Sequence, residues 1–410
     1  MAEFIMAAQN GRTIPKEDKI FGISNRAKKM ISEVGAENVI NATIGALLND
    51  DGDLIVLSSV DDTYMGLEPD EYAAYAPIGG TPDFKKAAIS AAFRNYKPGC
   101  YVEAVATPGG TGSIRNVISN YTCPGDKVLT ADWFWSPYKT IATEIGRSLD
   151  TYELFTDDRK FNIASFSAKV DEILAGQDRL VIIINTPAHN PTGYALTNED
   201  WQNVVDCLTN VSAEKRIALL VDAAYIDYAG DEDKYREFFP ILETLPANVL
   251  PIIAYSMSKT FTIYGMRCGA TICMAPTAEI AEEFRRVCEF SSRGTWSNCA
   301  RAGQSIIANI FADPDLLQKV NEERKEIRDM LLRRGKAFEE EAARVGLPIL
   351  PFDSGFFVSI PCDDPDAISA KLEKEGIFLV PLAKGLRVSV ASISEEKCRE
   401  VPAKVLAAMQ

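Results

Sequence analysis

The sequence predicts an α/β protein: a mostly parallel sheet covered by helices on both faces, with a smaller α+β domain beside it. Three observations predict this. Short apolar runs end in small or polar residues, helical patterns alternate with those runs, and one long amphipathic stretch separates them from a second group of strand-like segments. Residues 127–130, 180–184, 217–221 and 250–255 read as strands. Their continuous apolar character, without polar alternation, marks strands covered on both sides. From Asp313-Pro314 to about Gly346 the pattern is a single amphipathic helix, and its charged run at 322–326 is read as a solvated face. Strand-like segments at 348–350 and 356–360, a helix at 366–375, and strands at 378–380 and 386–390 follow. The first 50 or so residues are expected to pack with this last group. The chain therefore divides into a large domain, 51–312, and a small one built from 1–50 together with 313–410.

A chain of 410 residues is longer than one ordinary compact domain and ample for a sizeable core. Hydrophobic residues make up 47% and charged residues 25%, the composition of a soluble globular protein. A net charge of −15 argues against nucleic acid and anionic membrane as partners. It leaves room for local positive charge around a phosphate. Nine scattered cysteines without a C-x-x-C pair, and a single histidine, His189, make a zinc site improbable, and no metal is expected. No signal peptide is read at the N-terminus, and every apolar run is shorter than a membrane span. A cytoplasmic protein is expected.

The chemistry gathers at four places. Thr107-Pro108-Gly109-Gly110-Thr111-Gly112-Ser113 precedes a helical stretch that runs to about Tyr121. Glycines there let the backbone approach an anion, and free N–H groups at a helix start favour phosphate. The motif is not G-x-G-x-x-G, and no Walker lysine follows. Asp222 closes the 217–221 run with Tyr225 three residues on, and Asn190-Pro191-Thr192-Gly193 follows the 180–184 run. Lys259 lies in Ser256-Met257-Ser258-Lys259-Thr260, with Arg267 eight residues later. All fall just beyond strand C-termini, where open α/β sheets bind ligands.

Taken singly, each has a plainer reading: a tight turn, a helix-capping aspartate, a half-buried tyrosine, an Asn-Pro loop. Together they point to pyridoxal 5'-phosphate. A lysine condenses with an aldehyde and, once displaced, serves as a general base. A carboxylate beside a pyridine nitrogen keeps that nitrogen protonated, which makes the ring a stronger electron sink. Tyr225 and Asn190 are placed to reach the ring oxygen, and the serines and Arg267 to contact phosphate. Ser256-x-x-Lys259 also fits a β-lactamase pattern, but its S-D-N and K-T-G companions are absent. His189 is read as a structural residue of the Asn190 turn.

These residues resemble the class I aminotransferases, specifically the aspartate and aromatic amino acid branch of pyridoxal-phosphate fold type I. The resemblance runs from Ile40-Asn41 to Leu386-Arg387-Val388-Ser389. It implies that Lys259 carries the cofactor and shuttles the proton. Asp222 then pairs with the pyridinium, and Asn190 and Tyr225 hold the phenolic oxygen. Gly110, Thr111, Ser256 and Arg267 grip the phosphate, and Trp135 stacks on the ring. For the substrate it implies Arg387 at the α-carboxylate, a bidentate task suited to arginine. Arg293 is implied at a side-chain carboxylate, and Gly45, Trp135 and Asn190 beside the substrate. Tyr75 and Ser297 match ligands that reach the phosphate across a subunit interface, so a homodimer with shared sites is implied. The chain departs from the family pattern at Tyr138, where many relatives have a histidine supporting the Asp222 carboxylate. It departs again at Ile226-Asp227-Tyr228 and at 260–266.

The expected activity is ping-pong transfer of an amino group from L-aspartate or an aromatic L-amino acid to 2-oxoglutarate. A β-lyase or decarboxylase on the same scaffold is the alternative. A regulatory protein with an aminotransferase-like sensor needs an N-terminal DNA-binding domain, and the resemblance begins within the first few dozen residues.

Overall fold

A computed structural model of the chain describes residues 4–9 and 18–410. Seven strands form the central sheet, in the order Tyr101–Pro108, Cys268–Ala275, Val249–Ser256, Arg216–Asp222, Arg179–Asn185, Lys127–Ala131 and Ser148–Tyr152. Cys268–Ala275 runs antiparallel to both of its neighbours, and the remaining pairings are parallel. All four strands expected in this region are present, each extended by one or two residues. Helices cover the sheet on both faces, so every residue of Val249–Ser256 and Cys268–Ala275 is buried. This explains runs with no polar alternation.

The topology sets the site. Pro108, Asn185, Asp222 and Ser256 end parallel strands on one edge of the sheet. Because Cys268–Ala275 runs the other way, with Cys268 opposite Pro108 and Gly269 opposite Ser256, its first residue lies on that same edge. Arg267 is thereby delivered to the strand ends from a segment entering the sheet.

Pro314–Val345 is the long helix, capped by Asp313, whose side chain accepts from the N–H groups of Asp315 and Leu316, and closed by Gly346 at φ 77°. Its charged run is not wholly solvated. Arg324 is buried against the Phe261 ring, and Glu323 accepts from Ser58 and Ser59, because one turn of the helix packs against the helix Ser58–Met65 and the Phe261 loop. A three-stranded antiparallel sheet holds Phe357–Pro361, Gly385–Ser389 and Val380–Pro381, with Pro365–Lys374 packed beside it. Two expectations need correction. Residues 348–350 form no strand, since Pro348 and Pro351 lack the N–H groups a ladder needs, and one bond, Leu350 N–H to Ser359 O, remains. Residues 378–380 break at Leu379, because Ile377–Phe378 pairs with Ile40–Asn41 whereas Val380–Pro381 pairs with Leu386 and Arg387. The pairing of Ile40–Asn41, in parallel, joins the N-terminal segment to the C-terminal core, where Ile40 and Ala42 pack with Phe338, Val388 and Leu379.

Candidate active site

At the strand ends, a cavity of about 150 Å³ is lined by Gly110, Thr111, Trp135, Asn190, Asp222 and Tyr225 together with Ser256, Ser258, Lys259 and Arg267. Ten of the predicted residues thus meet in one space, although they are spread over more than 150 positions of the chain.

The anion-binding end is built from backbone. Gly109–Tyr121 starts directly from the strand Tyr101–Pro108, so its first N–H groups face the cavity. Gly109 takes φ +69°, and a Cβ there would lie 2.6 Å from Arg267 Nη2. A Cβ on Gly110 would stand 3.3 Å from the Ser256 Cβ. Glycine is required for the arginine and the serine to come this close to the helix start. Arg267 itself adopts a left-handed φ of 50° and is held by bonds from Nη1 to Tyr264 O (2.8 Å) and Ser258 Oγ (3.2 Å). Such backbone strain in a non-glycine residue is characteristic of functional sites.

Lys259 sits on the turn Met257–Thr260 that follows the fully buried strand Val249–Ser256. Burial pulls its amine down to about 8, Asp222 opposes that shift, and Arg267 adds to it. Nζ stands 5.1 Å from the centre of the Tyr225 ring. Asp222 is buried, and burial raises its carboxyl above the ordinary range, while a hydrogen bond from Tyr138 and the Lys259 charge draw it back. Tyr138 Oη donates to Asp222 Oδ2 at 2.5 Å, and the Ala224 N–H donates to Oδ1 at 3.2 Å. The tyrosine at the position of departure therefore supports the carboxylate as a donor.

Beside Tyr225 stands Asn190, whose Nδ2 lies 3.5 Å from Tyr225 Oη and whose Oδ1 accepts from Arg387 Nη1 at 3.2 Å. Arg387 is 4% exposed, lies over the Phe357 ring at 4.3 Å and donates from Nη2 to Thr43 O at 2.8 Å. Among the described residues its Nε has no hydrogen-bond partner. Burial lowers its pKa to about 10, which leaves it charged at neutral pH. Gly45 lies against the same Phe357, with a Cβ position 2.7 Å from the ring. His189 is buried and neutral: burial pulls it down to about 3, and Nδ1 bonds Thr192 Oγ1 at 2.8 Å.

Five predicted residues, Arg387, Gly45, Tyr75, Arg293 and Ser297, do not line this cavity. Tyr75 is 88% exposed, and Arg293 donates to Ser297 Oγ at 2.7 Å on the protein surface. The Tyr75 and Ser297 segments are nevertheless tied together, since Asn298 Nδ2 donates to Ala76 O at 2.7 Å. Sequence reasoning missed Asn185 and Tyr264. Asn185 Nδ2 donates to Asp222 O and its Oδ1 accepts from Asn190 N–H, both at 2.7 Å, so it couples two site loops. It ends an apolar strand as Asp222 does, and the same rule could have found it. Tyr264 Oη accepts from the Leu47 N–H at 3.1 Å, a contact across 217 positions that no local pattern signals.

Comparison with known proteins agrees with this geometry. The profile of the family described as "Aminotransferase class I and II" matches residues 37–405. The chain belongs to this family. It is an aminotransferase, of the pyridoxal-phosphate class with the type I fold. A solved aminotransferase structure from Anaerococcus prevotii is 38% identical, covers 99% of this chain and 100% of that one, and superposes with a TM-score of 0.96. An aspartate aminotransferase of Salmonella typhi is 27% identical over 87% of this chain and 90% of its own length. An aromatic-amino-acid aminotransferase of Pseudomonas aeruginosa is 29% identical over 52% of each chain, so this chain matches about half the length of that relative. Among the described residues no helix is long and apolar enough to cross a membrane.

Proposed function

We propose that the protein moves the amino group of L-aspartate or an aromatic L-amino acid to 2-oxoglutarate, in two half-reactions with one substrate bound at a time. One observation carries the reading. A half-buried lysine with a depressed pKa, an ionisable carboxylate with its own donor, and an anion cradle share a single cavity. The donor set fits pyridoxal phosphate, with Gly110, Thr111, Ser256, Ser258 and Arg267 at the phosphate end. Asp222 suits the ring nitrogen, and Tyr225 and Asn190 the ring oxygen. When bound, the cofactor supplies an aldehyde carbon for the amino group and a ring that withdraws electrons.

The chain's own residues supply the rest. Lys259 Nζ, with a pKa of about 8, gives up and takes a proton near neutral pH, as a general base needs. Tyr138 donates to the Asp222 carboxylate and favours its ionised form, which would hold a proton on the ring nitrogen with the cofactor in place. Arg387, fixed by Phe357, Asn190 and Thr43, offers its remaining donors to a carboxylate and orients the amino acid before reaction. Trp135, held edge-on to Tyr138 with ring centres 5.5 Å apart, forms an aromatic wall that limits water.

A homodimer with shared sites is the proposed assembly. Tyr75, Arg293 and Ser297 lie outside this protomer's cavity, and the aromatic side chains of Tyr72, Tyr75 and Phe290 are exposed. Exposed aromatic side chains suit an interface. Nine unpaired cysteines fit a cytoplasmic location.

The test is the absorbance of cofactor-loaded protein titrated with L-aspartate and with L-phenylalanine. Conversion to the pyridoxamine band by either supports amino transfer, and by aspartate alone assigns Arg293 to a second carboxylate. Release of pyruvate, ammonia or carbon dioxide without a 2-oxo acceptor refutes the reading in favour of a lyase or decarboxylase.

A further inference from the structure

We propose that Asp227 is a positioning residue for Lys259, locking the two catalytic loops together through Thr260 and Tyr255. The inference rests on Lys259 being the cofactor-bearing lysine. Asp227 lies in the 3₁₀ turn Ile226–Tyr228, just past Tyr225, and is 1% exposed. Its carboxylate accepts three hydrogen bonds: from Tyr255 Oη (2.6 Å), Thr260 Oγ1 (2.7 Å) and Arg236 Nη2 (2.7 Å). Tyr255 immediately precedes Ser256, and Thr260 immediately follows Lys259. The two hydroxyl donors therefore bracket the segment that carries the lysine.

A buried carboxylate is tolerated only when paired. Arg236 is itself buried and anchored on the helix Pro82–Phe93 by bonds to Ala92 O (2.8 Å) and Ala91 O (3.3 Å), and Arg94 Nε stands 3.7 Å from Asp227. Burial pushes the Asp227 carboxyl up, but Arg236, Arg324 and Arg94 outweigh it and hold it well below the usual range. An ionised carboxylate only accepts, so both hydroxyl hydrogens must point at it, which restricts the Tyr255 and Thr260 rotamers. The turn Met257–Thr260 is four residues long, too short to hold its own geometry by helix bonds. Asp227 holds it from outside. The same carboxylate belongs to the loop that carries Asp222 and Tyr225, so one group sets the lysine against its partners. Asp227 and Thr260 both stand where the chain departs from the family pattern, and the structure joins them in one hydrogen bond.

The decisive variants are Thr260→Val, which removes one bond and leaves the Asp227–Arg236 pair, and Thr260→Ser, which restores the hydroxyl. On the cofactor-loaded enzyme, kcat and KM for L-aspartate and L-phenylalanine are measured with the pH midpoint of the visible cofactor band. Thr260→Val is expected to lower kcat about tenfold, the loss of one buried hydrogen bond to a charge. KM should stay within about twofold, because Arg387 is untouched. The band midpoint moves, and Thr260→Ser restores both. Wild-type kcat and midpoint in Thr260→Val, or no recovery in Thr260→Ser, overturn the proposal. Asp227→Asn should show the same signature more strongly, and if it does not fold the threonine pair still decides. Borohydride reduction and peptide mass mapping separate the premise. A label on Lys259 with a silent Thr260→Val sinks the positioning role alone, whereas a label elsewhere sinks the reading beneath it.

Discussion

Tyr138→Phe removes the hydroxyl that donates to Asp222 and changes little else, since the ring keeps its edge-on contact with Trp135. Both partners are buried, so no bulk water replaces the donor. A hydrogen bond to a charged acceptor in such a place is worth about 1.5–3 kcal/mol. That corresponds to roughly a ten- to hundredfold smaller stabilisation of the ionised carboxylate. Among the described residues the Asp222 carboxylate then retains only the Ala224 N–H as a hydrogen-bond donor, at 3.2 Å, and burial raises its carboxyl further with one less opposing influence. Activity that needs the ionised form is present above the carboxyl pKa and lost as pH falls through it, so the acid limb of the kcat/KM profile moves to higher pH. At neutral pH kcat/KM drops about tenfold or more. The assay is a coupled transamination rate with L-aspartate across the pH range, with circular dichroism as the folding control. Tyr138→His, which returns an N–H donor, should recover part of the loss. An unshifted acid limb with kcat/KM within about twofold of wild type would show that the bond does not tune Asp222.

Lys259 titrates at about 8, and only its free amine attacks an aldehyde. Capture of pyridoxal phosphate by the apo-protein, followed by stopped-flow absorbance, should therefore accelerate as pH rises through that value and level off above it. In Asp222→Asn the midpoint should fall, because the carboxylate holds the amine pKa up. A midpoint near the ordinary lysine value of about 10.4 refutes the assignment. Arg387→Lys keeps a charge but loses the fork that bonds Asn190 and Thr43, and should reduce kcat/KM about ten- to hundredfold, mostly through KM. Gly109→Ala forces a Cβ into Arg267 at a φ of +69° and should destabilise the fold by about 1–2 kcal/mol. It should also weaken pyridoxal phosphate binding in equilibrium titration, and unchanged affinity would remove Arg267 from the phosphate site.

Much of this protein was legible in one dimension. The four apolar runs became strands because burial on both faces needs nothing beyond their own composition. Asp222, Asn190, Lys259 and the Gly109-Gly110 turn could be read because each follows a strand or opens a helix, and strand ends are where such sheets bind ligands. Family pattern added Arg387 and Trp135, which local chemistry alone could not single out. The failures share a cause. Residues 348–350 looked apolar enough for a strand, but a ladder depends on N–H groups that two prolines remove. Arg324 sat in a charged run and was read as solvated, yet its burial depends on Phe261, 63 positions away in the chain. Tertiary structure alone decided that Asp227, Thr260 and Tyr255 share one carboxylate, that Tyr264 braces Leu47, and that Tyr75, Arg293 and Ser297 lie outside the protomer's own cavity. Periodicity reports what each residue does to its own segment, whereas burial, charge pairing and the meeting of loops depend on which distant segments the chain brings together.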